Sequence, residues 1–423
     1  MSVPRPRRLA VVLQGRIAGE LVQDPRLTFT YHSAYLARSD ATPLSVSMPL
    51  ATGIYRQARV LPWIDGLLPD SQDVRDRWAT RFRVSARNPF ALLTHMGREA
   101  PGAVQLCPFE DVDEVLSQAG ELKSVTEAEI GQRLTRLADS PSNWTVEGER
   151  WSLGGAQSKF ALTRTGDGWN EAFGSQPTTH IVKPGVGRFR SQSLNEHLTM
   201  ATAAALGLRV ATTRYHEFDG RAAVIVTRYD RIRSEGGIAR VHQEDLCQAL
   251  SVPPRKKYEI DGGPGAARIS DLLRAVADEA SVWRLAEALA FSYLIGGPDA
   301  HAKNYSLLLA GSQVRLAPLY DLASSLPYDA AGDDSDLTRL AMAVGGERRF
   351  GRITDTHWAR LATRAGLEPQ QFVDRVHELA LQLPDGLSDA VAATPSIDPE
   401  IGARFLNRVV AHLTEAGLHR PSG

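Results

Sequence analysis

The stretch LIGGPDAHAKNYSLLL, Leu294 to Leu309, sets Asp299, His301, Lys303 and Asn304 within six positions between two apolar runs. Apolar flanks pin such a segment into a core, and unpartnered buried polar groups are costly, so these side chains are expected to face a ligand or one another. Their types suit phosphoryl transfer. Asp299 can accept the proton of an attacking hydroxyl, and Asn304, five residues on, offers a hard oxygen to Mg²⁺. Asp321, which follows Tyr320 in LAPLYDLASS, adds a carboxylate at a strand end. Lys303 can neutralise a transferring phosphate, and His301 is expected to hydrogen-bond within the segment. No second His or Cys stands at metal-ligand spacing from His301. Taken alone, Asp299 and Asn304 would fit a polar turn with an Asx cap equally well.

Three upstream features weigh against the bare turn. In SLGGAQSK, Ser152 to Lys159, the run Gly154, Gly155, Ala156, Gln157, Ser158 and Lys159 lets a backbone approach a phosphate and offers N–H donors, although a glycine pair by itself is an ordinary tight turn. Lys183, in THIVKPG, shares a strand face with Ile181 and can point into a cleft, the alternative being a solvated surface lysine. Glu196 opens the next helix, where it can pair with Lys183 or serve the helix dipole. Glycine loop, lysine, Asp299, Asn304 and the Tyr320-Asp321 pair fall in the order of a protein-kinase active site, which unrelated turns need not do.

The rest of the chain must position these groups. Its 423 residues, 43% hydrophobic and 23% charged, lead one to expect two or three domains. Net charge is −1, from 48 basic and 49 acidic side chains, so no global field draws the protein to nucleic acid and any such contact must be local or borrowed. Cys107 and Cys247 are far apart with no Cys-x-x-Cys pair, which argues against a disulfide framework or a thiolate zinc site and fits a reducing cytosol. The apolar run near the N-terminus is broken by Gln14 and Arg16, unlike a secretory leader. The longest apolar stretch, Val282 to Ile295, contains Arg284 and Glu287 and falls short of a membrane span. A soluble, cytoplasmic protein without membrane partners is expected.

From Arg8 to about Leu106, RLAVVLQGRIAGEL reads as two strands across Gln-Gly, PLSVSMPL alternates like a strand, and Val74, Trp78 and Phe82 recur every fourth residue after an Asp-Ser start. Residues 108 to 146 read as an acidic connector with a helix near Glu127 to Leu137, ending in a strand. A second strand-rich unit follows, with a hairpin at Asp219-Gly220 and an inserted helix capped by Ser193 and closed by Gly207. After Arg233 strand signals nearly vanish, apart from a pair turned by Gly311-Ser312. The expected fold is α+β and two-lobed, like a protein kinase, with an extra N-terminal α+β subdomain: residues 1–110, then a sheet lobe with its connector at 111–233, then a helical lobe at 234–423.

These segments resemble the HipA family of bacterial toxin kinases: PLSVSMPL, DGLLPDSQDVRDR, SLGGAQSKFAL, HIVKP, NEH, RYDR, HQEDLCQAL, KYEIDGGPGAARI, GGPDAHAKNYSLLL and LAPLYDLASS, spread nearly end to end. The resemblance implies an ATP- and Mg²⁺-dependent serine/threonine kinase. It makes Asp299 the proton acceptor, Asn304 and Asp321 the Mg²⁺ ligands, Lys183 the phosphate-binding lysine and residues 154–159 the phosphate loop. Thr227, Arg228 and Tyr229 become the adenine-binding linker, with His301 and Tyr320 also lining the nucleotide site. Ser152 matches the serine whose autophosphorylation switches the family off. The resemblance further implies an aminoacyl-tRNA synthetase as substrate, a HipB-like helix-turn-helix antitoxin dimer as partner, and operator DNA reached through that complex, with Arg348, Arg349 and Arg352 near the backbone. Two positions depart from the family pattern: Thr227 replaces a glutamate, and Ser158 a common acidic residue. Two other readings stay open, a non-catalytic corepressor on a kinase shell and a small-molecule phosphotransferase.

Overall fold

A computed structural model describes residues 8–419 except Asp167, Gly236 and residues 330–334. The first part of the N-terminus, Met1 to Arg7, on which the leader reading partly bears, lies outside the described residues.

The unbroken apolar run Leu9–Leu13, buried on both faces, lies in an antiparallel five-stranded sheet, in the order Ile54–Arg56, Arg26–Tyr31, Arg16–Asp24, Arg8–Leu13, Val104–Cys107. Leu9, Val11 and Leu13 face helices Gln57–Gly66, Gln72–Phe82 and Pro89–Met96, while Ala10 and Val12 pack on Val112 and Val115. PLSVSMPL is not a strand. Ser45 and Met48 form one isolated bridge, because the Tyr31 hydroxyl donates to Met48 O and accepts from Leu44 N–H and so folds the segment into a turn. Alternation there reports burial of Leu44 and Met48 and no extended pairing.

The second sheet has six antiparallel strands, Thr213–Phe218, Arg221–Thr227, His180–Lys183, Phe160–Thr165, Gly168–Ala172 and Leu122–Val125. The hairpin at Asp219-Gly220 carries φ of 50° and 74°, the left-handed pair that a two-residue turn of this hand requires. Ala223 and Ile225 point toward the N-terminal subdomain's core, whereas Val224 and Val226 point toward the helical lobe. One sheet therefore joins both neighbours through its opposite faces. Helix Gln192–Ala205 begins two residues earlier than the sequence suggests: Ser191, at φ 51°, is its N-cap residue, and Ser193 is buried inside it.

The helical lobe contains Ala266–Val276, Glu279–Leu294, Asp355–Ala365, Pro369–Ala393 and Pro399–Glu415. Pro369–Ala393 packs across the inserted helix at Gly386, where a Cβ would stand 2.6 Å from Leu206 Cδ1. This lobe also holds strands that the sequence concealed: Gly237–Arg240, His242–Asp245, Arg339–Val344 and Glu347–Arg349. The first pairs with Arg231–Ser234 and so bridges the expected boundary at residue 233. The second pairs with Ser306–Ala310, which leaves only Leu246–Ala249 of HQEDLCQAL as helix.

Candidate active site

Between the sheet lobe and the helical lobe lies a cleft of about 1000 Å³. Ile181 and Val226 face each other across paired strands and form its apolar roof, with Lys183 beyond them on the same strand face. The turn from Leu294 carries Asp299 to Asn304 to its floor, and the chain after Leu316 brings Tyr320 and Asp321 alongside.

Lys183 is 5% exposed, and its Nζ lies 2.7 Å from both Glu196 Oε1 and Asp321 Oδ1. Burying a lone ammonium would cost several kcal/mol, so the two carboxylates are what keep it charged. Burial opposes that charge, but Asp321 and Glu196 outweigh it and raise the lysine above its ordinary range. Burial and the Asp321 charge push Glu196 upward, while Asp321 itself is held at about 2 against burial by Lys183 and Lys159. Asp321 adopts φ 59°, a left-handed conformation that costs a non-glycine residue about 1–3 kcal/mol. Two of the three Lys183 donors are engaged, leaving one for a phosphate oxygen.

Asn304 Nδ2 donates to Asp299 O at 2.7 Å, so the amide fixes the turn with its nitrogen and leaves its oxygen as a hard donor that a metal could use. With Asp321 this gives two oxygen donors, the number Mg²⁺ commonly takes from protein when phosphates supply the rest. Among the described residues no group of three or more His, Cys, Asp or Glu could hold a metal without such help. The residues present thus fit a nucleotide-bound Mg²⁺. Asp299 is 61% exposed at the cleft, and its Oδ1 accepts the Tyr258 hydroxyl at 2.7 Å. His301 lines the cleft but is buried; its hydrogen bonds within the segment run through the backbone, its N–H donating to Asp299 O and its carbonyl accepting from Asn304 N–H, both at 2.9 Å, while Nε2 stands 3.8 Å from Asp299 Oδ1 and burial lowers the ring's pKa.

In the glycine loop, Gly155 sits at φ 94° and Lys159 Nζ donates to Gly154 O at 3.0 Å. Burial and the Lys183 charge lower Lys159 to about 8, which leaves it mostly charged near neutral pH. Ala156 and Gln157 also line the cleft. Ser158 does not: its hydroxyl turns away and donates to Pro141 O, which corrects its assignment to the nucleotide site. Ser152 is fully buried, its Oγ donating to Leu67 O at 2.6 Å.

The linker needs one correction as well. Thr227, Arg228 and Tyr229 border the cleft, yet the Arg228 guanidinium turns out of it to Glu99, Thr178 and Asp230. Its backbone N–H is likewise spent on Thr179 O, so Arg228 ties the lobe to the N-terminal subdomain. The Tyr229 hydroxyl bonds Gln243, and its ring tilts against Tyr320 at 5.9 Å. Arg348 also departs from expectation: it lines the cleft and donates to Leu340 O, whereas Arg349 and Arg352 are exposed.

Sequence reasoning missed Asp70, Lys257 and Tyr258. Asp70 reads as a helix-start aspartate, but its carboxylate reaches Lys303 Nζ at 2.6 Å and Lys257 Nζ at 3.1 Å. Only the long-range fold brings these together.

Sheet lobe, helical lobe, paired lysine, exposed carboxylate and two oxygen donors in one cleft define a kinase. The HipA-like C-terminal domain family matches residues 151–387, more than half of the chain, and the HipA N-terminal domain family matches residues 9–107. The chain belongs to the HipA family. It is 36% identical over 397 residues to Y4mE of Sinorhizobium fredii, covering 91% of each chain. It is 28% identical over 426 residues to the serine/threonine-protein kinase toxin HipA of Shewanella oneidensis, covering 95% of this chain and 93% of that one. The structure of Shewanella oneidensis HipA, solved with HipB and its operator DNA, superposes with a TM-score of 0.82 at 25% identity over 96% of each chain.

Proposed function

We propose that this kinase transfers the γ-phosphate of ATP to a serine or threonine hydroxyl of a protein and acts as a growth-arresting toxin. The observation that carries the reading is the convergence of Lys183, Asp299, Asn304 and Asp321 in one cleft. Asp299 takes the proton as the hydroxyl oxygen forms its bond to the γ-phosphorus; the bond from that phosphorus to the β–γ bridging oxygen breaks, and ADP leaves. Lys183 and Lys159 bind phosphate oxygens, and Lys303 stabilises the charge in transit. Asn304 and Asp321 would hold Mg²⁺, which when bound neutralises phosphate charge. The apolar roof of Ile181 and Val226 suits an adenine ring.

The toxin role rests on the Shewanella oneidensis relative's name, and the neighbouring structure supports a HipB-like antitoxin dimer and operator DNA as partners, with Arg349 and Arg352 on the exposed side. An aminoacyl-tRNA synthetase as substrate, with arrest of translation, extends the same reading, and so does a cytoplasmic location; no helix among the described residues is long and apolar enough to cross a membrane. Ser152 is the proposed self-inactivation site. A phosphate cannot be added at a fully buried hydroxyl, so the segment must first leave its contacts with Leu67 and Glu99, and the added charge then keeps it from returning. Asp299→Asn should lower phosphate transfer to a protein acceptor by about 10²–10⁴-fold with ATP binding intact; transfer at the wild-type rate would remove Asp299 from its role.

A further inference from the structure

We infer that Asp70, supplied by the N-terminal subdomain, is a positioning residue of the kinase site, holding Lys303 beneath the phosphate loop and aligning the segment that supports Asp299. The inference deepens the proposed kinase reading and rests on it.

Asp70 Oδ1 is 2.6 Å from Lys303 Nζ and Oδ2 is 3.1 Å from Lys257 Nζ, so one carboxylate grips two ammonium groups. Both lysines have catalytic neighbours. Lys303 precedes Asn304 and lies under the loop, with a Cβ on Gly154 only 3.7 Å from its Nζ. Lys257 precedes Tyr258, whose hydroxyl donates to Asp299, and Lys257 O accepts from Ala302 N–H. Asp70 N–H, meanwhile, donates to Gly155 O at 2.9 Å, and Pro69 and Gly155 form a parallel bridge. A single residue thus joins the loop above the phosphates to both arms of the floor below.

The counter-charge is specific to Asp70. Lys303 is 5% exposed at its side chain, and among the described residues the other carboxylate near it, Asp245, stands 4.0 Å away, beyond hydrogen-bond reach. Asp70, at 2.6 Å, is the carboxylate in hydrogen-bond contact, and its two lysines hold it ionised against burial. Without that charge a buried ammonium has lost its anchor and is free to shift toward Asp245. Displacement by about 1 Å in a positioned group can cost about 100-fold in rate.

The test uses the full chain with Mg²⁺ and ATP and measures the maximal rate of phosphate incorporation and the half-saturating ATP concentration. Wild type, Asp70→Asn, Asp70→Glu and Asp299→Asn are compared. Asp70→Asn should lose about 100-fold in maximal rate with half-saturating ATP changed by less than about threefold, and Asp70→Glu should recover to within about tenfold of wild type. A wild-type rate in Asp70→Asn beside a dead Asp299→Asn would overturn the inference and leave the kinase reading standing. A loss that only tracks the unfolded fraction in thermal melts would reduce Asp70 to a fold-stabilising residue and also overturn it. No incorporation by wild type from an unphosphorylated start would sink the kinase reading and the inference together.

Discussion

Ser152 and Lys183 have both left solvent, and what each touches decides what it can do. The Lys183 ammonium sits between Glu196 and Asp321, so its charge and position are set before any nucleotide arrives. Ser152 is fixed by a hydroxyl bond to Leu67 O and a backbone bond from its N–H to Glu99 O. Ser152→Ala should cost about 1 kcal/mol of stability through the orphaned carbonyl. It should bind ATP like wild type and keep its activity through a long incubation in which wild type loses its own. Equal loss of activity in both proteins, followed by transfer assays at successive times, would exclude Ser152 as the off-switch.

At the scale of elements, the loop and linker are held by charge as much as by packing. Glu99, 2% exposed, accepts from Arg228, Arg231, Arg240 and Thr178 and so ties strand ends of the sheet lobe to the subdomain. Glu99→Gln leaves buried guanidinium groups short of their counter-charge and should destabilise the protein by about 3–5 kcal/mol; a loss below about 1 kcal/mol in urea unfolding would show that Asp230 carries the cluster alone. None of this was legible in the sequence, because Glu99 and Arg228 are separated by 129 residues and no local pattern links them. That Asp299, Asn304 and Asp321 share one cleft was legible, since they lie on one turn and one short hairpin. The hidden strands follow the same logic: His242–Asp245 exists because Ser306–Ala310 offers it a partner, and a short polar run carries no periodicity of its own. A helix such as Gln72–Phe82 is legible, because its apolar stripe of Val74, Trp78 and Phe82 is local.

The whole molecule is a kinase whose N-terminal subdomain is built into the cleft from one side. Glu244 marks that junction: it accepts the Val46 N–H at 2.8 Å and is 1% exposed, and burial pushes its carboxyl up from 4.5 to about 8. The folded state therefore holds a proton that the unfolded chain releases. The stability this provides is fully present below 4.5 and is lost as pH rises toward about 8. Glu244→Gln, which keeps an acceptor for Val46, should raise the melting temperature by a few degrees near pH 8 and change it little near pH 4.5; an equal shift at both would refute the buried neutral carboxyl. The central claim is that the cleft performs metal-dependent phosphoryl transfer, and intact-mass measurement after incubation with ATP and Mg²⁺, beside an Asp321→Ala variant, tests it most directly. The account predicts one added phosphate on the wild type, mapped to Ser152, and none on the variant. Unphosphorylated wild type that stays unmodified, or a variant that gains phosphate equally, would contradict it.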